Sequence, residues 1–219
     1  MTDQSSVEII LKAAVTSPTY ETNYVGGGSG AAKQERSREL HRCGEKLLDE
    51  ILAGVGVTAP IIEHGKRGKP YLKNFPHITF NLSHSGRAAL CAVGINAGEI
   101  GVDLEYIDRG EDKELHLYSR ERAYERIAME LFSAREIERI DSSSDSVAEF
   151  FKIWTAHEAY SKFTGDGISQ LFRDKGCDEY RGARVFTCTT VISGLEYAVS
   201  LAVGRGLTDG MPNIEIINL

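Results

Sequence analysis

Two short stretches bring together side chains able to handle a metal ion and phosphate. Gly101-Val102-Asp103-Leu104-Glu105 has the alternation of a strand, which puts Asp103 and Glu105 on one face and turns Val102 and Leu104 to a core. Trp154-Thr155-Ala156-His157-Glu158-Ala159-Tyr160-Ser161-Lys162 reads as helix, where Glu158 and Lys162, four positions apart, lie one above the other. Three carboxylates supply the oxygen ligands that a hard divalent cation prefers, and an ammonium beside them can meet a phosphate. Taken alone, each piece has a plainer explanation. Asp103 and Glu105 could be the solvent face of an edge strand, and Glu158 with Lys162 a surface pair worth a few tenths of a kcal/mol.

Composition sets the frame for this chemistry. At 219 residues, 42% hydrophobic and 26% charged, the chain is long enough for one large domain or two small ones around a real core. The apolar runs fall short of the roughly 20 residues of a membrane helix, and Met1-Thr2-Asp3-Gln4 lacks a signal-peptide layout, so a cytoplasmic protein away from the membrane is expected. Cys43, Cys91, Cys177 and Cys188 are widely spaced, which favours buried free thiols over zinc or disulfides. A net charge of -7 argues against nucleic acid as a partner. Charge is also segregated, with a formal +4 over 61–90 and a formal -8 over 99–159, which by itself reads as two solvated faces of opposite sign and also allows an anion on one segment and a cation on its neighbour.

The positioning elements follow from periodicity. Strands are predicted over Val7 to Val15, His77 to Leu82, Ala88 to Ile95, Glu99 to Tyr106, Ala183 to Val191 and Leu195 to Val203. Helical spacing runs from Lys33 to Leu52 and through Tyr124, Ile127, Ala128 and Leu131. Ser133-x-x-Glu136 and Ser146-x-x-Glu149 are capping-box patterns, and Gly165 is placed to end the last helix. The Gly26 to Ala31 run lacks the strand and Gly-Lys-Ser/Thr context of a nucleotide-binding turn and reads as a surface loop. Ser83 beside His84 lacks the Gly-x-Ser-x-Gly turn of a serine hydrolase. The order of elements predicts an α+β protein of two halves, 1–98 and 99–219, with a ligand cleft between them.

Four blocks in order carry a family resemblance. Gly68-Lys69-Pro70-Tyr71, Phe80-Asn81-Leu82-Ser83-His84-Ser85-Gly86, Gly101-Val102-Asp103-Leu104-Glu105 and Phe151-x-x-Trp154-Thr155-x-x-Glu158-Ala159-x-x-Lys162-x-x-Gly165-x-Gly167 resemble the signature of 4'-phosphopantetheinyl transferases of the surfactin-synthetase-activating type. The resemblance implies two similar halves in a pseudo-twofold arrangement. It implies magnesium-dependent transfer of 4'-phosphopantetheine from coenzyme A to a serine of an acyl, peptidyl or aryl carrier protein, in fatty acid, polyketide or nonribosomal peptide synthesis. Adenosine 3',5'-bisphosphate would be released.

The resemblance assigns Asp103, Glu105 and Glu158 to Mg2+, Lys162 to the diphosphate, Ser83 and His84 to nucleotide phosphate oxygens, and Lys69 to the adenosine end. Arg42 or Arg38 would meet the ribose phosphate, with Lys33 and Arg36 as further choices. Either Glu158 or a water on the metal would take the serine proton. Two fused halves remove the need for a second chain, so a monomer is expected. Two departures stand out, namely His157 where the family usually has lysine and a long charged stretch from Asp108 to Glu130. They motivate an alternative, a non-catalytic homologue that binds coenzyme A or a carrier protein. Arg109, Arg120, Arg122, Arg126 or the basic segment before Leu90 would provide local attraction for an acidic carrier.

Overall fold

The computed structural model describes residues 6–16, 30–109, 121–167 and 180–218. Its elements run β1 (Glu8–Val15), α1 (Gly30–Gly54), β2 (Ile62–His64), β3 (Pro70–Leu72), β4 (Ile78–Ser85), β5 (Ala88–Ile95) and β6 (Ile100–Tyr106), followed by α2 (Glu121–Leu131), α3 (Ala134–Ser142), α4 (Ser146–Thr164), β7 (Ala183–Ile192), β8 (Leu195–Gly204) and β9 (Ile214–Asn218). The fold is α+β. Most of the Gly26 to Ala31 run, Cys177, Leu117 and much of the Asp108 to Glu130 stretch lie outside the described residues.

One pattern of connection occurs twice. In the first half β1 leads through α1 to β4 and β5, and the last of these lies in the middle, giving β4-β5-β1. In the second, β6 leads through α4 to β7 and β8, again with the last strand central, as β6-β8-β7. Each half is thus a strand, a long helix and a hairpin whose second strand inserts between its neighbours. β9 then returns to pair in parallel with β1, and β2 with β3 makes a small separate hairpin. Periodicity had marked none of these three short strands, because three to five residues carry too little alternation to register.

Two sheet faces meet in a core that includes Leu11 and Ala13 of β1, Leu90 of β5, Val102 and Leu104 of β6, and Val199 and Leu201 of β8. A second core lies under α1, where Leu47, Leu48 and Ile51 cover Ala89, Cys91 and Val93. The central strand β5 therefore reads as a continuous apolar run because both its faces are covered. A third cluster, built from Phe132, Phe150, Phe151 and Ile153, holds α2 and α3 against α4. Among the described residues no helix is long and apolar enough to cross a membrane.

Helix ends set the reach of α4. Ser133 and Glu136 form the expected capping box at α3. At α4 the cap is Asp145, one residue before the predicted Ser146, and its carboxylate accepts from the Ala148 N–H at 3.0 Å. Arg109 grips the same Asp145 through two nitrogens, at 2.9 and 2.6 Å, and also reaches Glu196 at 2.8 Å. Asp145 therefore sits at about 2, held down first by Arg109 and then by the Ala148 N–H. This ties Arg109, expected to attract a carrier, into the frame of α4. At the other end Gly165 takes a left-handed φ of 71° and its N–H closes on Ser161 O, which stops the helix just past Lys162.

Candidate functional site

The site lies where α4 crosses β6. Val102 and Leu104 enter the core between the sheets, as the alternation predicts, while Gly101, Asp103 and Glu105 occupy the opposite face of the strand. α4 passes directly over Gly101, so that a Cβ there would collide with the Ala159 carbonyl oxygen and the Phe163 amide nitrogen. Glycine is required by this close approach. The helix is also tied down by a buried chain of hydroxyls, with Thr155 Oγ1 at 2.8 Å from Ser200 Oγ and Ser200 Oγ at 2.7 Å from Thr187 Oγ1.

With α4 fixed so close, Lys162 reaches across to β6. Its Nζ donates to Asp103 Oδ1 at 2.7 Å, to Ser83 Oγ at 3.0 Å and to the Val102 carbonyl at 3.2 Å. Asp103 is 3% exposed, and its second oxygen, Oδ2, is buried with no hydrogen-bond partner among the described residues. Such an oxygen is costly unless something cationic completes it.

The neighbouring carboxylates respond to the same crowding. Glu105 is pushed up to about 8, first by burial and then by the Asp103 charge, although Ser85 Oγ donates to its Oε2 at 2.6 Å. Glu158 is pushed up to about 7, again by burial first and Asp103 second, while Lys162 opposes the shift. The three acids therefore feel one another across the β6–α4 junction. Among the described residues no three acidic, histidine or cysteine side chains are gathered into a ready-made metal cage. Magnesium seldom uses such a cage, binding instead through one or two carboxylates, water and substrate phosphates. The bare Asp103 oxygen and an all-oxygen donor set fit that ion.

A sign follows for pH. Between about 4.5 and about 8 the folded protein holds protons on Glu105 and Glu158 that the unfolded chain has released, so raising the pH through this window removes stability. Without divalent cation the melting temperature is expected to fall by several degrees between pH 5.5 and pH 8. Millimolar Mg2+ should recover the loss at pH 8 and do little at pH 5.5. Thermal melts over a pH series check this, and a curve that is flat with and without the ion contradicts it.

The seam between the halves explains why these side chains meet. β6 pairs with β8 along one edge. Along the other, its N–H groups are accepted by side chains of β4: Val102 N by Asn81 Oδ1 at 2.8 Å, Leu104 N by Ser83 Oγ at 3.2 Å, and Tyr106 N by Ser85 Oγ at 3.1 Å. Sequence reasoning gave Ser83 to phosphate and gave Asn81 and Ser85 no part. The available signal was three small polar residues, Asn81, Ser83 and Ser85, at a period of two along one face of the strand. Ser83 and His84, read as a pair, are separated by the same alternation, Ser83 turning inward to Asp103 and His84 outward to solvent. Partial desolvation of the ring, and after it the Lys162 ammonium, holds His84 below its ordinary value.

The other named residues are distributed around this centre. Lys69 Nζ joins Glu99 Oε2 at 2.5 Å, the Ile100 carbonyl at 3.0 Å and the Phe163 carbonyl at 3.4 Å, so it bridges the start of β6 to the last turn of α4. Arg42 and Arg38 both bond Glu35, at 3.0 and 3.3 Å, on an exposed face of α1, while Arg36 reaches the Gly86 carbonyl at 2.9 Å. Lys33 lies among the residues whose side chains are not described. His157 is fully buried and points away from the carboxylates, with Nε2 2.7 Å from Glu136 Oε1. The departure at position 157 thus places a structural contact between α4 and α3.

Comparison with known proteins agrees with this arrangement. Residues 99–192, from the start of β6 through α4 to the end of β7, match the 4'-phosphopantetheinyl transferase superfamily. The chain is 38% identical over 142 residues to the 4'-phosphopantetheinyl transferase HetI of Nostoc sp., covering 61% of this chain and 55% of that one. It is 33% identical over 148 residues to the 4'-phosphopantetheinyl transferase psf-1 of Bacillus pumilus, covering 63% and 57%. To the 4'-phosphopantetheinyl transferase Sfp of Bacillus subtilis it is 30% identical over 104 residues, covering 47% and 40%. The chain spans about half the length of these relatives. The acidic strand and the Glu158–Lys162 helix both lie inside the segment that is similar to the 4'-phosphopantetheinyl transferase superfamily.

Proposed function

We propose that the protein transfers 4'-phosphopantetheine from coenzyme A to a serine of an apo carrier protein. The observation that carries this reading is the junction at Gly101, where a buried Asp103 with one bare oxygen, two further carboxylates and the Lys162 ammonium are set against one another. Coenzyme A would enter the cleft between the halves 1–98 and 99–219, with its diphosphate toward Lys162 and His84. Arg42 or Arg38 of α1, released from Glu35, would meet the ribose phosphate, and Lys69 lies toward the adenosine end.

Asp103, Glu105 and Glu158 would hold Mg2+. When bound, the ion neutralises charge that develops on the phosphoryl and leaving oxygens. In the transfer the carrier serine oxygen bonds to the β-phosphorus as the bond from that phosphorus to the bridging oxygen breaks. The bridging oxygen leaves on adenosine 3',5'-bisphosphate. Glu158, or a water beside it, would take the serine proton.

Mass spectrometry of intact protein tests the reading. Each of several apo acyl, peptidyl and aryl carriers is incubated with coenzyme A, Mg2+ and the full chain, and at least one should gain about 340 Da. Retention of coenzyme A with no mass gain on any carrier would favour a non-catalytic binding homologue instead.

A further inference from the structure

Ser83 spends its whole hydrogen-bonding capacity inside the protein. A serine hydroxyl offers one donor and two lone pairs. Here the donor goes to Asp103 Oδ1 at 2.8 Å, and the lone pairs take the Leu104 N–H at 3.2 Å and the Lys162 ammonium at 3.0 Å. Two residues further along the same strand, Ser85 repeats the pattern, donating to Glu105 Oε2 and accepting from the Tyr106 N–H. In each case one β4 hydroxyl grips a β6 backbone amide and the carboxylate of the residue just before it. The amide fixes where the hydroxyl sits, and the hydroxyl fixes which carboxylate oxygen is occupied. For Asp103 that leaves Oδ1 taken and Oδ2 bare.

We infer that Ser83 and Ser85 are positioning residues that aim Asp103 and Glu105 at the cation, with Asn81 setting the register of the seam. The inference rests on the transferase reading above. Partners that orient metal-bound carboxylates usually change metal affinity by 10 to 100-fold when removed.

The test compares the full-length protein with Ser83→Ala, Ser83→Thr and Ser85→Ala. Mg2+ binding is followed by calorimetric titration in the presence of coenzyme A without carrier, and KM for coenzyme A is measured separately at saturating Mg2+. Ser83→Ala is expected to weaken Mg2+ binding at least about tenfold with KM for coenzyme A within twofold of the parent, and Ser85→Ala to weaken Mg2+ binding in the same direction. Ser83→Thr, which keeps the hydroxyl and suits a strand, should restore most of the affinity and also reports on the site if the alanine variant fails to fold. A raised KM for coenzyme A with unchanged Mg2+ affinity in Ser83→Ala would overturn the inference, as would a Ser83→Thr variant that folds but binds Mg2+ as weakly as the alanine. A parent protein that binds no Mg2+ under these conditions would instead remove the metal reading on which the inference stands.

Discussion

Asp103→Asn should reduce carrier modification by at least about 10³-fold, a barrier increase of about 4 kcal/mol, while leaving the protein folded. Asparagine keeps the volume and the Ser83 contact, so only the charge is lost. Two opposing effects then act on stability. Lys162 loses its anion, but its side chain is 27% exposed and water offsets part of that cost. At the same time the Asp103 charge, second only to burial in raising both Glu105 and Glu158, is gone, and those acids ionise more easily. The melting temperature should consequently move by only a few degrees, and the pH window of instability should shift downward. Circular dichroism melts beside the carrier mass assay separate the two outcomes. Near-parental turnover in Asp103→Asn would show that the chemistry lies elsewhere.

Gly101→Ala is expected to damage stability and activity together. In an ordinary strand the change would help slightly, since glycine costs about 0.5 to 1 kcal/mol there. The backbone of α4 occupies the place the methyl would take, at Ala159 and Phe163, and backbone cannot rotate aside. The helix must lift, stretching the Lys162 to Asp103 contact and shifting Glu158 relative to β6. Overpacking of this kind costs about 1 to 3 kcal/mol or more, and a displacement of about 1 Å in the site about 100-fold in rate. Chemical denaturation together with the mass assay reads both losses. A variant that matches the parent in both would mean that α4 is not held against Gly101.

Much of this was legible in the sequence where a pattern repeats along one element. The alternation through Gly101 to Glu105 correctly separated the Val102 and Leu104 core face from the acidic face, and Gly165 marked the end of α4. Contacts between distant segments were not legible. The position of Ser83 beside His84 says nothing of its bonds to Leu104 and Asp103, twenty or so residues away in chain and adjacent across the seam. His157 looked like a substitution within the site until the helix was placed. Its neighbours on α4 then proved to face β6 while the imidazole turned to Glu136 on α3. The cap at α4 shifted from Ser146 to Asp145 because Arg109, from another segment, holds the Asp145 carboxylate there. Capping patterns name candidates, and tertiary partners select among them.

The account depends on one divalent ion shared by oxygens from β6 and α4. Crystals of the protein grown with coenzyme A and Mn2+ in place of Mg2+, examined by anomalous diffraction at the manganese edge, locate that ion directly. A single peak is predicted within about 2.2 Å of carboxylate oxygens from Asp103, Glu105 and Glu158, with diphosphate oxygens completing the shell. A peak bound elsewhere, or none beside Asp103 with coenzyme A in place, would contradict it.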